Sequence, residues 1–200
     1  MLLADVGPEN ISQSLRQVLD LLLSNADNLQ AMIQHLLKYN AVAHGLMRTE
    51  NQLCMHTLCQ RIRQKLPDTR PGTLRQWLIE GSDNMITTDQ PVINMILSNL
   101  MSNAYDYTSN KGEIAVCWGQ GHNTWWLKVA DNGPGMSSDE VSSVYRPFYQ
   151  GKAKKSGPLK GSGMGLAIVH ECVSQLNGKI SITSELNLSL IQISEPTTPY

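Results

Sequence analysis

Two asparagines stand four residues apart in a stretch with helical periodicity. Asn99 and Asn103 fall within Pro91–Tyr105, where apolar residues recur at helical spacing. Residues four apart lie one turn from each other on the same helix face. An asparagine offers an oxygen that can meet Mg²⁺ and an NH2 group that can meet phosphate oxygens. Asparagine pairs on helices are common and mostly just solvated, so this pair alone does not define a site.

A carboxylate and two glycines follow a predicted strand, Trp125–Ala130. Asp131, Gly133 and Gly135 form the pattern Asp-Asn-Gly-Pro-Gly, whose glycines allow the backbone to approach a flat ligand closely. The carboxylate can accept a hydrogen bond from an exocyclic amine. An ordinary Asp-Asn-Gly turn has the same sequence, and on this motif alone it is the favoured interpretation.

A glycine-rich run opens a predicted helix, Leu166–Leu176. Glycines alternate at positions 161, 163 and 165, and free N–H groups at a helix N-terminus form an anion site. The run is not a Walker A loop, because no Gly-Lys-Ser/Thr follows, and a Lys-rich loop rather than a strand precedes it. The loop's lysines supply positive charge beside the run or form a solvated surface: Lys152, Lys154, Lys155 and Lys160.

The segment Arg146–Tyr149 contains Phe148, the only phenylalanine in the chain. We expect Phe148 to pack under a loop rather than to contact a ligand.

Strands and helices alternate around these motifs. Strands are predicted at Trp77–Glu80 and Met85–Thr88 around a Gly-Ser-Asp-Asn turn, at Glu113–Trp118 and at Ile180–Thr183. Their mixed order with the helices predicts an α+β sandwich with helices on one face of a mixed sheet.

Upstream lies one long helix, from about Pro8 to Met47. Its apolar residues alternate at spacings of four and three, which is a heptad seam that partner helices must cover. We predict a homodimer through Leu15–Leu46, with a core helix of a larger helical protein as the other interpretation. The predicted division is therefore a partial hairpin at 1–48, a compact domain at 49–185 and a polar tail at 186–200.

Composition excludes several classes of protein. The 200 residues carry 16 basic and 17 acidic side chains, a net charge of −1, which gives no global attraction to nucleic acid or to anionic membranes. The four cysteines form no Cys-x-x-Cys pair, and we expect reduced core thiols in the cytoplasm. No apolar stretch is long enough to span a membrane.

In this order and spacing, the four motifs resemble the N, D, F and glycine-rich boxes of the GHKL ATP-binding superfamily. The resemblance covers Gln52–Ser184 and is greatest to the catalytic domain of two-component sensor histidine kinases, while Leu2–Asn40 is similar to sensors of the QseE/GlrK type. It implies a two-layer α/β sandwich of the Bergerat ATP-binding type, preceded by the second helix of a dimerisation hairpin.

The resemblance also implies a role for each matching residue. Asn103 would coordinate Mg²⁺, Asn99 would support the phosphates or the metal, and Asp131 would bind the adenine amino group. The remaining residues would shape the adenine pocket or form the end of the lid over the triphosphate: Tyr107, Gly133, Gly135, Gly161, Gly163, Gly165 and Leu166.

Hydrolytic members of the superfamily carry a glutamate where Asn99 stands, and an amide cannot activate water as that glutamate does. The resemblance therefore favours transfer of the ATP γ-phosphoryl group to a protein histidine over hydrolysis, with a response regulator as partner. We expect a cytoplasmic location, with membrane attachment only through upstream segments. A non-catalytic, nucleotide-binding interaction module remains the alternative, and a serine-kinase anti-sigma factor is a third.

Three features depart from the family pattern. None of the five histidines has the acceptor context, an acidic neighbour with a nearby Thr/Asn-Pro, so we expect the acceptor to precede Met1 and this chain not to phosphorylate itself. Asp106 stands where the family commonly carries a basic residue. The family's final strand is missing, although Ser189–Ile193 could substitute for it.

Overall fold

The computed structural model describes residues 50–66, 74–121, 124–151, 162–185 and 188–196, together with positions 15, 16, 18, 19, 22, 23, 26, 29, 30, 33, 34, 36, 37, 40 and 41. Four helices have defined bounds: α1 (Met55–Lys65), α2 (Gln90–Tyr107), α3 (Ser138–Val141) and α4 (Gly165–Gln175). Seven strands accompany them: β1 (Glu50–Leu53), β2 (Gln76–Gly81), β3 (Ile86–Asp89), β4 (Glu113–Gln120), β5 (Thr124–Asp131), β6 (Lys179–Glu185) and β7 (Leu188–Pro196).

Five strands form one mixed sheet in the order β2-β4-β5-β7-β6. The β2–β4 pair is parallel, and the other three pairs are antiparallel. Strands β1 and β3 pair separately, antiparallel to each other. The strands predicted around residues 81–84 therefore exist, but they belong to two different sheets.

The core lies between the five-stranded sheet and the helices. Alternate residues of β4 and β5 are buried, because successive side chains in a strand point to opposite faces. On the helix side, α2 and α4 bury apolar faces and contact each other. This arrangement confirms the predicted α+β sandwich with a mixed sheet.

Strand β7 corrects the prediction of a polar tail at 186–200. It lies between β5 and β6, so the sheet is continuous only through it. Ile191 and Ile193 are buried in the core, and Ser189 is buried on the same face. The alternation of Ser189, Ile191 and Ile193 is a period-two strand pattern, which polar neighbours conceal in the sequence.

Helix α2 begins at a well-defined cap. Asp89 accepts a hydrogen bond of 3.1 Å from the Val92 N–H through its side chain, and Pro91 occupies the first turn. Both features are typical of helix N-termini. They set where the 18-residue helix starts, and so where Asn99 and Asn103 lie along it.

The described positions from 15 to 41 are all helical, as predicted for the upstream segment. The leucines among them are solvent-exposed, with 59% of Leu22, 64% of Leu23 and 60% of Leu29 accessible. Among the described residues, no helix combines the length and apolar character needed to cross a membrane.

The cysteines are free thiols in three kinds of environment: buried, exposed and, for Cys117, half-buried. Cys59 and Cys172 are fully buried, and burial raises the pKa of each to about 12. Cys54 is exposed at the start of α1, so the expectation of a core thiol is wrong for that residue.

Candidate functional site

A cavity of about 920 Å³ is lined by α2, the start of α4 and the end of β5. Most of the site residues predicted from the sequence line it: Asn99, Asn103, Tyr107, Asp131, Gly135, Gly163, Gly165 and Leu166. Gly133 lies directly beside Asp131, and Gly161 lies outside the described residues. The lysines at 152–160 also lie outside them.

The two amides of α2 lie against the first residue of α4. A Cβ atom on Gly165 would lie 3.3 Å from Asn99 Oδ1 and 3.4 Å from both amide atoms of Asn103. The Asn99 NH2 group donates to the Met95 carbonyl at 2.8 Å, so its nitrogen is satisfied within α2. The side-chain oxygen of Asn99 therefore faces Gly165, where it can accept a hydrogen bond or coordinate a metal.

Helix α4 begins beside these amides. Its N-cap residue is Met164, whose side chain provides no cap hydrogen bond. The first N–H groups of an α-helix have no partner within the helix, and the helix dipole favours an anion there. The start of this 11-residue helix can therefore bind phosphate oxygens.

Gly163 allows the backbone before α4 to pack tightly. Its φ angle is +71°, and a Cβ there would lie 2.7 Å from the Phe148 carbonyl carbon. Phe148 itself has a φ of 65°, which is uncommon for a residue with a side chain, and 46% of its surface is exposed. The expectation that Phe148 packs under a loop is therefore wrong.

Asp131 forms the polar end of the cavity, at the last position of β5. Its carboxylate accepts a 2.9 Å hydrogen bond from the Gly133 N–H and a second bond from the Ser189 hydroxyl. Burial raises the pKa of Asp131, and these two hydrogen bonds partly offset that effect.

Two glycines shape the turn after Asp131. A Cβ on Gly133 would lie 2.7 Å from Asp131 Oδ1 and 3.0 Å from the Tyr107 carbonyl oxygen. Gly135 has a φ of +72° and lies against the Glu185 carbonyl at the end of β6, where no side chain fits. The turn therefore touches α2, the last residue of β6 and the first residue of β7.

The described lining of the cavity is more acidic than basic. Asp106, Asp131 and Glu140 line it, and Lys65 is the single cation among its described residues. Burial raises the pKa of Tyr107, and the negative charge of Asp106 adds to that shift. An anionic ligand therefore needs either a cation or oriented N–H groups to bind here.

Ser189 is the site residue that the sequence did not predict. It stands opposite Asp131 in the β5–β7 ladder and is buried. The sequence offers Ser189–Ile193 only as a segment that could substitute for a final strand, with no pairing to β5, so it does not place Ser189 beside Asp131. The alternation of Ser189, Ile191 and Ile193, which is typical of a strand, is the sequence signal that could have revealed it.

The family of histidine kinase-, DNA gyrase B- and HSP90-like ATPases matches residues 88–196, just over half of the chain. The chain belongs to this ATPase family. The match begins at the end of β3 and runs through β7, so this ATPase domain includes the strand that the sequence did not predict.

Proteins similar to this ATPase domain include sensor kinases. Sensor histidine kinase GlrK of Escherichia coli (strain K12) is 27% identical over 196 residues, which cover 92% of this chain and 39% of that protein. The chain thus spans well under half the length of that relative. Histidine kinase AdeS of Acinetobacter baumannii superposes with a TM-score of 0.69 at 19% identity, over 98% of this chain and 87% of that one.

A third similar structure is histidine kinase ThkA in complex with response regulator protein TrrA. It has a TM-score of 0.69 at 16% identity, over 100% of this chain and 55% of that one. At these identities the two structures confirm the fold. The family match identifies the domain as an ATPase domain of the histidine kinase-, DNA gyrase B- and HSP90-like type, and GlrK, to which the chain is similar, is a sensor histidine kinase.

Proposed function

We propose that this domain binds Mg²⁺-ATP in the cavity between α2 and α4 and transfers the γ-phosphoryl group to a histidine of a dimerisation hairpin. One observation carries the proposal. The amides of Asn99 and Asn103 meet the start of α4 in the same cavity whose other end holds the half-buried carboxylate of Asp131.

Asp131 supports adenine recognition. Its half-buried carboxylate can accept a hydrogen bond from the exocyclic amine of adenine, and the Ser189 hydroxyl and Gly133 N–H hold it in one orientation. Tyr107 lines the same end of the cavity, where its ring can pack against a base.

The other end suits a triphosphate with its metal. Mg²⁺ prefers oxygen ligands and usually takes one or two from the protein, with the rest from water and phosphate. The amide oxygens of Asn99 and Asn103 fit that demand, with Asn103 proposed as the metal ligand. Bound Mg²⁺ would neutralise the charge that develops on the phosphates.

Within the chain, the start of α4 binds and orients the phosphates through its N–H groups. Asn99 cannot abstract a proton from water, because its amide has no basic site of the required strength. We therefore propose that the nucleophile is a histidine on another segment, and that the reaction is phosphoryl transfer rather than hydrolysis.

Partners and organisation complete the proposal. Residues 1–48 would form the second helix of a hairpin that dimerises through Leu15–Leu46, and 49–196 the catalytic domain. A response regulator would receive the phosphoryl group next; the similar structure of ThkA is a complex with a response regulator, TrrA, which supports this choice of partner. We propose a cytoplasmic domain, attached to a membrane only through segments outside this sequence.

The test is incubation with γ-labelled ATP, with and without an added acceptor hairpin from a histidine-kinase relative. We expect acid-labile label on the hairpin and none on the chain alone. Asn103→Ala should slow transfer on the order of 100-fold, since it removes a group that stabilises developing charge. Asn110→Ala, an exposed asparagine outside the cavity, is the matched control.

Two results would contradict the proposal. A hairpin that stays unlabelled while ATP binds would favour the non-catalytic module. Strong acid-labile label on the chain alone would mean that one of its own histidines accepts the phosphoryl group.

A further inference from the structure

Arg75 holds the carboxyl-terminal end of α2 from outside the cavity. It precedes β2, and its guanidinium donates from Nη2 to the Thr108 carbonyl at 2.8 Å and from Nε to the Ser109 carbonyl at 3.3 Å. Thr108 is the residue that caps α2. The last carbonyls of a helix lack partners within it, and Arg75 supplies donors where they emerge.

The charge of Arg75 is also placed favourably. The last turn of α2 contains no basic residue and does contain Asp106, whose charge opposes the negative end of the helix dipole. Arg75 brings the missing positive charge from another element. Its Cζ lies 4.1 Å from the centroid of the Tyr105 ring, within the range of a cation–π contact.

Backbone hydrogen bonds fix Arg75 on both sides. The Leu74 N–H donates to the Asn110 carbonyl at 2.9 Å, and the Gln76 N–H donates to the Gly112 carbonyl at 2.9 Å. The guanidinium therefore extends from a backbone that is itself tied to the segment after α2. Arg75 can therefore hold the end of α2 at a defined position.

The helix end reaches Asp131 through direct packing. The Tyr107 carbonyl lies against Gly133, whose N–H binds the Asp131 carboxylate. On the next segment, the Glu113 N–H donates to Asn132 Oδ1 at 2.8 Å, and a Cβ on Gly112 would lie 2.6 Å from that same oxygen. The residues after α2 thus lie directly on the turn that follows Asp131.

We propose that Arg75 is a positioning residue for the nucleotide site. By holding the end of α2 against the 131–133 turn, it sets the distance between the Asn99 and Asn103 amides and the Asp131 carboxylate. This inference rests on the proposed function, because the two ends must engage one ligand for their spacing to matter.

A change in the spacing of the two subsites affects ATP and adenosine differently, and this difference distinguishes it from a loss of fold stability. A ligand that engages both ends gains affinity from the second contact only if the two subsites are correctly spaced. ATP spans both ends, whereas adenosine engages the Asp131 end alone. Loss of Arg75 should therefore weaken ATP much more than adenosine.

The experiment compares the binding of Mg²⁺-ATP and of adenosine to the full chain, well below the unfolding temperature of each variant. Arg75→Gln should weaken ATP about tenfold and adenosine by less than about twofold. Arg75→Lys, which keeps the charge but loses the second donor and the planar stack, should give a smaller loss with the same selectivity. Arg63→Gln is the matched control, because Arg63 also lies over an aromatic ring, that of Trp77, but on the exposed face of α1.

Equal weakening of ATP and adenosine, or wild-type ATP affinity in the folded variants, would overturn the role of Arg75. If Arg75→Gln does not fold, the same comparison with Arg75→Lys decides. A wild-type chain that binds adenosine nucleotides nowhere would contradict the proposed function itself, which is a different outcome.

Discussion

The partial burial of Asp131 determines the pKa of its carboxyl group. The carboxylate is withdrawn from water at the end of β5, which raises its pKa, and only the Ser189 hydroxyl and the Gly133 N–H compensate. A carboxylate that is incompletely compensated retains acceptor capacity for a ligand. The partial burial of Asp131 thus both costs the fold free energy and leaves the carboxylate able to bind a ligand.

We expect Asp131→Asn to weaken ATP binding about tenfold or more, because an amide presents an N–H toward the adenine amine and a charged hydrogen bond contributes roughly 1.5–3 kcal/mol. The difference in ATP affinity between wild type and variant should narrow as the pH falls, since protonation removes the negative charge that strengthens this hydrogen bond. Calorimetric titration across pH measures both effects, with exposed Asp83→Asn as the control. Equal ATP affinity of wild type and Asp131→Asn at neutral pH would remove the assignment.

The same substitution should stabilise the empty fold. A folded-state pKa raised above the unfolded value means that the folded chain holds the proton more tightly, so this residue's contribution to stability falls as pH rises through that window. At neutral pH the ionised Asp131 therefore opposes folding, and Asp131→Asn should raise the unfolding temperature.

At the scale of elements, local periodicity predicted most of the fold. The helix predicted at Pro91–Tyr105 is observed at Gln90–Tyr107, and the strands predicted at Glu113–Trp118 and Trp125–Ala130 are observed as β4 and β5, which pair antiparallel. The local sequence carries these signals because each element buries one face.

Pairing between distant segments was not predictable in the same way. Strand β2 pairs in parallel with β4 across α2, a non-local contact that the sequence between β2 and β3 does not indicate. Strand β7 carries Ser189 and Gln192 among its apolar residues and ends at Pro196, which conceals it. Ser189 was missed as a consequence, whereas Asn99, Asn103 and Asp131 came from motifs.

Strand β7 should contribute fully to the stability of the core. Ile193 is 1% exposed and Leu188, on the same strand, is 46% exposed. Ile193→Ala should lower the free energy of unfolding by about 2–5 kcal/mol, as core truncations do, and Leu188→Ala by much less. Chemical denaturation measures both values. Small and equal losses would show that β7 does not form part of the core.

At the scale of the whole molecule, the upstream helix presents apolar surface that the catalytic domain does not cover. The described leucines there are more than one-third exposed, and the heptad seam is continuous in sequence. We propose that a second copy of the chain covers this surface, which would place two catalytic domains beside one hairpin bundle.

The double substitution Leu22→Glu and Leu29→Glu should convert a dimer into the 22.2 kDa monomer, because dimerisation would then bury charge in the seam. Gln30→Glu with Gln34→Glu adds the same charge beside the seam and should leave the dimer intact. Sedimentation at micromolar concentration distinguishes the two masses. A wild-type chain that is monomeric there would count against the dimer.

The central claim, an ATP site between α2 and α4, is tested most directly by calorimetric titration of the chain with ATP and GTP, each with Mg²⁺ and with a chelator. Adenine carries a donor amine where guanine carries an acceptor oxygen, so Asp131 should select ATP. We predict one ATP per chain, affinity at least about tenfold above that for GTP, and a clear loss of ATP affinity when Mg²⁺ is removed. Equal affinity for the two nucleotides, or no binding of ATP, would contradict the account.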